Sequence, residues 1–280
     1  MREVLELLAA PVAASLVLTG ILTYFGLHVV ERGVIFVDLA IAQVAALGAT
    51  FAVFFGLSLH GGAAYACSLG LSFGAAILFS SVRGEKFRIP QEAIIGITYA
   101  VCAAASIVVM SQSPEGGEHL KDMLVGNILT VGWGTVGKTA ALYLAIGILH
   151  WAFRRPLLEI SQDSAAAARA GRRIWAWDLF FYGTFGLVVT SGVAIAGVLL
   201  VFSYLIVPSV TAMLFTRRLG PRLAIGWAMG TLVSALGMAS SYRLDLPTGA
   251  TIVVTFGVVL TLTALAYWVW NKLVGREAVA

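Results

Sequence analysis

A chain of 280 residues that is 60% hydrophobic and 11% charged exposes too much apolar surface to remain dispersed as a soluble domain. A mean hydropathy of +0.94 places it among integral membrane proteins and excludes an ordinary water-soluble enzyme. The formal net charge of +4 is too small and too scattered to be a nucleic-acid footprint.

Apolar stretches of about 20 residues, the length that crosses a bilayer as a helix, recur along nearly the whole chain. They predict spans near 7–29, 34–58, 61–82, 92–112, 132–153, 174–191, 194–215, 223–241 and 249–271. The expected fold is all-α and polytopic, with about nine transmembrane helices and eight or ten as neighbouring counts. Residues 1–280 form one transmembrane domain, with no room for a separate soluble one. The first stretch has some look of a signal peptide, but its apolar region continues to Val30 and reads as a membrane helix. Cys67 and Cys102 fall inside predicted spans as small buried hydrophobes and form no zinc motif.

Basic residues sort by side. Arg32, Arg83, Lys86, Arg88, Arg154, Arg155, Arg169, Arg172, Arg173, Arg217, Arg218, Arg222, Lys272 and Arg276 fall in one set of connections, leaving Arg2, Lys121, Lys138 and Arg243 in the other. The positive-inside rule makes the first set cytoplasmic, the N-terminus external and the C-terminus internal.

Within the second span Asp38 is the single charged residue, and the amide Gln43 follows it. A carboxylate there costs roughly 3 kcal/mol even on a lenient insertion scale, so it should face protein or a wet pathway. On a regular helix the two positions differ by about 140°, and only a local widening brings them together. Glu92, after Pro90, and Asp178, early in the sixth span, read as helix-start carboxylates favoured by the macrodipole. Gly70 with Gly74, Gly192 with Gly197, and Gly226 with Gly230 predict close helix packing. Met123 to Gly134 is a candidate re-entrant half-span, Pro208 a kink, and Asp245 to Gly249 a tight outer turn.

The longest inner connection, Arg154 to Arg173, contains an alanine-rich stretch that predicts a short helix within about 160–172. Asp163 or Ser164 would cap its start and Gly171 would end it. Its shape suits docking on a cytoplasmic partner through Asp163, Ser164, Ala167, Ala170 and Gly171; the alternative is a solvated connector held to lipid by arginines. His28, His60, His119 and His150 lie in four different segments, without a ligand partner at helical spacing. Gly132 to Thr139 satisfies the phosphate-loop pattern GxxxxGK[ST], but its flanks are membrane spans instead of the strand and helix that such a loop needs, so the match reads as chance.

In order, Arg32-GVIFVD-LAIAQVAALG, Glu92-AIIGI, GNILTV from Gly126, SQDSAAAARAG, AGVLLVFSYLIVPSVTA around Pro208 and DLPTGATIVV resemble the permease subunits of ABC transporters that import zinc and manganese. The resemblance implies a type II importer-like permease in the inner membrane of a prokaryote, without catalysis or a cofactor of its own. It also implies a homodimer, a separate cytoplasmic ATPase docked on the short inner helix, and an extracytoplasmic metal-binding protein. The family places an Asp and, four residues later, a His on the second span. Here Asp38 keeps the first, while Gln43 answers to the second one register out of step. Asp38, Gln43 and Glu92 become the metal-pathway candidates, and the missing imidazole makes manganese or iron as fitting as zinc. A secondary cation carrier or cation/proton exchanger is the alternative, although the inverted repeats typical of such carriers are not evident.

Overall fold

The computed structural model describes residues 2–58, 61–83, 89–112, 116–126 and 128–274, and all regular structure among them is helical. The order is α1 (Arg2–Glu31), α2 (Val37–Phe54), α3 (Gly62–Ser81), α4 (Gln91–Met110), α5 (Gly116–Val125), a 3-10 turn (Ile128–Thr130), α6 (Trp133–Ala152), α7 (Arg154–Gln162), α8 (Ser164–Arg169), α9 (Ile174–Phe215), α10 (Leu219–Leu244) and α11 (Thr248–Val274). Seven of these are long and apolar enough to cross a membrane, and α6 with α7, bent by 76°, makes an eighth.

Helix α9 has 42 residues, about 63 Å if straight and roughly twice a hydrocarbon core. It breaks at Gly197, where φ is 76° and ψ is 163°. Its two halves meet α1 in opposite senses. In the first half Asp178 bonds Arg32, Phe181 and Phe185 pack on Phe25, and Gly192 lies against Leu18. In the second half Ser209 bonds the Thr23 carbonyl, while the Thr216 carbonyl accepts from Arg222, which also pairs with Glu31. The chain therefore crosses, reverses at Gly197 and returns, so α9 supplies two passes. The reversal falls a few residues later than the expected break, and Pro208 lies inside the helix that follows it.

Both halves of α9 and α1 form the centre, around Phe25, Phe181, Tyr182, Phe185 and Tyr204, all fully buried. The outward faces of α4, α6 and α11 carry Ile97, Val101, Leu144, Ile148, Val258 and Leu262, apolar residues suited to lipid contact. Gly226 and Gly230 bring α10 onto α1: a Cβ at either would stand 2.5 Å from a threonine methyl, of Thr23 and Thr19 respectively. Gly70 and Gly74, expected to do the same, have open space around them, and Cys67 is exposed instead of buried.

At the end opposite Arg32, Gly126 and Gly197, both at positive φ, meet backbone to backbone. A Cβ on Gly126 would lie 2.2 Å from the Ala196 carbonyl carbon, and one on Gly197 would lie 2.4 Å from the Gly126 nitrogen. This seam locks the α5–α6 connection into the α9 reversal. The stretch from Met123 to Gly134 is accordingly not a half-span: it finishes α5, turns at Gly126, makes the 3-10 turn and enters α6 at Trp133. Beyond α10, Asp245 adopts the left-handed conformation, and Ser241 bonds both the Leu246 carbonyl and the Thr248 hydroxyl, forming the expected tight turn.

Candidate transport pathway and docking helix

Asp38 lies in the first turn of α2, 1% exposed, and neither carboxylate oxygen has a hydrogen-bond partner. Among the described residues it alone has both carboxylate oxygens buried and unpartnered. A cavity of about 910 Å³ opens between α2, α3, α5, α6 and α9 at the end remote from Arg32; Tyr65, Ser68, Asp122, Lys138, Thr139 and Ser191 supply polar lining. From α2 the cavity is lined by Ala45, Ala46 and Ala49, an arc of about 100° on the helix. Asp38 falls within that arc, seven residues or about 10 Å below Ala45. It therefore continues the cavity-lining face deeper into the protein.

Gln43 does not share this face. Helix α2 is regular, without the widening that would bring the pair together, and Gln43 stands about 60° outside the arc. It is buried but directed elsewhere. Glu92 acts locally. Its Oε1 accepts from the Phe36 backbone N–H at 3.2 Å, capping the start of α2, while its Oε2 is buried and unpartnered. Capping ties the starts of α2 and α4 together, two residues from Asp38.

Among the described residues the histidines join no group that could hold a metal ion. His28 Nδ1 meets the Ser161 hydroxyl at 2.8 Å, and His150 meets Thr184 at 2.8 Å and Tyr24 at 3.3 Å. His60 and the side chain of His119 lie outside the described residues. The residues Gly132 to Thr139 are the N-cap and first turns of α6, with no strand before them among the described residues, so the motif is not a phosphate loop.

The alanine-rich stretch forms α8 as expected. Asp163 accepts from the Ala166 N–H at 2.8 Å. At the other end Gly171, at φ 80°, donates to the Ala168 carbonyl and Arg172 donates to the Ala167 carbonyl, the paired bonds of a Schellman stop. Asp163, Ala165, Ala166, Ala168, Ala170 and Gly171 are exposed. Ala167, expected on the docking surface, is 5% exposed and turns inward as the anchor of α8. Helix α7, unforeseen in the sequence, packs Leu157, Ile160 and Ser161 inward at i, i+3, i+4 spacing.

Residues 4–267 match the family model described as the ABC 3 transport family. The chain belongs to this family. The transport-family chain is 27% identical over 239 residues to the manganese import system permease protein ScaB of Streptococcus parasanguinis, covering 83% of this chain and 81% of that one. It is 28% identical over 253 residues to the manganese transport system membrane protein MntC of Halalkalibacterium halodurans, with 90% and 84% covered. Its fold is that of a chain in the structure of PsaBC from Streptococcus pneumoniae in complex with Fab, with a TM-score of 0.76 at 22% identity over 92% of this chain and 90% of that one.

Proposed function

We propose that this chain is the membrane permease subunit of an ATP-driven importer of divalent metal ions, manganese foremost. It works as a homodimer, and the path follows the face of α2 that lines the cavity between α2, α3, α5, α6 and α9. The end carrying Arg32, Arg83 and Arg222 is cytoplasmic, as is the C-terminus, and the N-terminus is external. There a separate ATPase docks on α8 through Asp163, Ser164, Ala170 and Gly171, and ATP is hydrolysed on that subunit alone. An external binding protein delivers the ion to the opposite end.

The observation that carries this reading is Asp38: a fully buried carboxylate without a partner, continuing the cavity-lining face of α2. Such a group, costly in a membrane, is expected where a cation passes. Oxygen donors without imidazole favour a hard ion such as manganese over zinc, and manganese is what the names of ScaB and MntC state of those proteins. Glu92 flanks the path by holding the start of α2.

The test is manganese uptake into proteoliposomes containing the chain with its ATPase, in the presence of the binding protein. Uptake that requires ATP and withstands collapse of the proton gradient is the expected result. Uptake that persists without the ATPase and disappears with the gradient would assign the chain to the secondary carriers instead.

A further inference from the structure

Arg32, Arg83 and Asp178 form a buried cluster that lies outside the α2 path. Asp178, expected as an ordinary helix-start carboxylate, has a fully buried side chain in the first half of α9. Its Oδ1 accepts from Arg32 Nη1 at 2.6 Å and from Arg83 Nη1 at 2.8 Å. Arg32 follows α1 and Arg83 follows α3, so one oxygen joins the ends of three spans. The Arg32 guanidinium also lies 3.9 Å over the Phe181 ring, which holds it in place.

The same two arginines reach α7. Arg32 Nε donates to the Ser161 hydroxyl at 2.9 Å, His28 Nδ1 meets that hydroxyl at 2.8 Å, and Arg83 Nη2 donates to the Ile160 carbonyl at 3.3 Å. Ser161 precedes Asp163, the cap of α8, by only two residues. Ile160 and Ser161 therefore link α8 to Arg32 and Arg83, and through them to Asp178. The cluster also has unused pairing capacity. Arg32 Nη2 and Asp178 Oδ2 are buried without partners, so a single-oxygen pairing exists where a two-pronged Arg–carboxylate pairing is open to the same side chains. An element with two discrete arrangements is what carries coupling between distant sites.

We propose that Arg32, Arg83, Asp178 and Ser161 are the positioning residues that transmit movement of the ATPase-docked α8 to α1, α3 and α9. This rests on the permease reading above. In the reconstituted complex, Asp178→Asn should assemble with the ATPase and hydrolyse ATP within about twofold of wild type, while manganese taken up per ATP falls at least tenfold. Ser161→Ala, which removes the Arg32 and His28 bonds to α7 while leaving the ion pairs and the Arg83 bond to the Ile160 carbonyl intact, should lower the same ratio severalfold. A ratio unchanged in both variants, or ATPase activity and uptake falling in proportion in both, would make the cluster a structural brace and overturn the proposal. If Asp178→Asn does not assemble, the ratio for Ser161→Ala decides. Absence of ATP-dependent uptake by the wild-type complex would instead overturn the permease reading.

Discussion

The carboxylate of Glu92 caps the helix that carries Asp38: Glu92 Oε1 accepts from the Phe36 backbone N–H at 3.2 Å, bridging the starts of α4 and α2. Removing the acceptor strands a helix-terminal N–H, which costs about 1 kcal/mol. Glu92→Ala should lower the thermal stability of the purified protein, and Glu92→Gln, which keeps a carbonyl acceptor, should restore it. Thermal unfolding in detergent measures both, and equal stability of the two variants would remove the cap.

Gln43 provides an internal control for the pathway. It lies about 60° outside the face of α2 that lines the cavity, so Gln43→Ala should leave manganese uptake within about twofold of wild type. A tenfold loss in folded protein would place the amide in the path after all.

The seam between Gly126 and Gly197 admits no side chain. A Cβ at Gly197 would meet the Gly126 nitrogen at 2.4 Å, in a conformation whose strain alone costs about 1–3 kcal/mol for a residue other than glycine. Gly197→Ala should abolish or severely reduce the yield of folded protein, whereas Gly147→Ala, in open space on α6, should be neutral or stabilising. Size-exclusion profiles of the two variants make the comparison, and a normal profile for Gly197→Ala would contradict the assigned reversal.

The cap of α8 is small enough to test by affinity. Asp163→Ala removes the acceptor for Ala166 N–H and loosens the helix by about 1 kcal/mol. Binding of the ATPase subunit should weaken about fivefold, and Asp163→Ser should recover most of it. Unchanged affinity for Asp163→Ala would separate α8 from docking.

Local signals are legible in the sequence because they act locally. The apolar stretches, the Asp163 cap, the Gly171 stop and the turn at Asp245 each depend on neighbours a few residues away. Features set by distant partners are not legible in the same way. Asp178 looks like any helix-start acid until Arg32 and Arg83 arrive from two other spans. The reversal of α9 is set at Gly197 by the backbone of Gly126, and spacing alone does not distinguish Gly226, packed against Thr23, from Gly70, which faces open space. Helix α7 is legible in principle, since Leu157, Ile160 and Ser161 already carry a helical period between two arginine pairs.

The most direct measurement compares ATP-dependent manganese uptake by wild-type and Asp38→Ala complexes reconstituted with the same ATPase and binding protein. Asp38 is buried, unpartnered and on the cavity-lining face, so uptake by Asp38→Ala should fall at least tenfold while assembly with the ATPase is retained. Wild-type uptake by an assembled Asp38→Ala complex would contradict a cation path along α2.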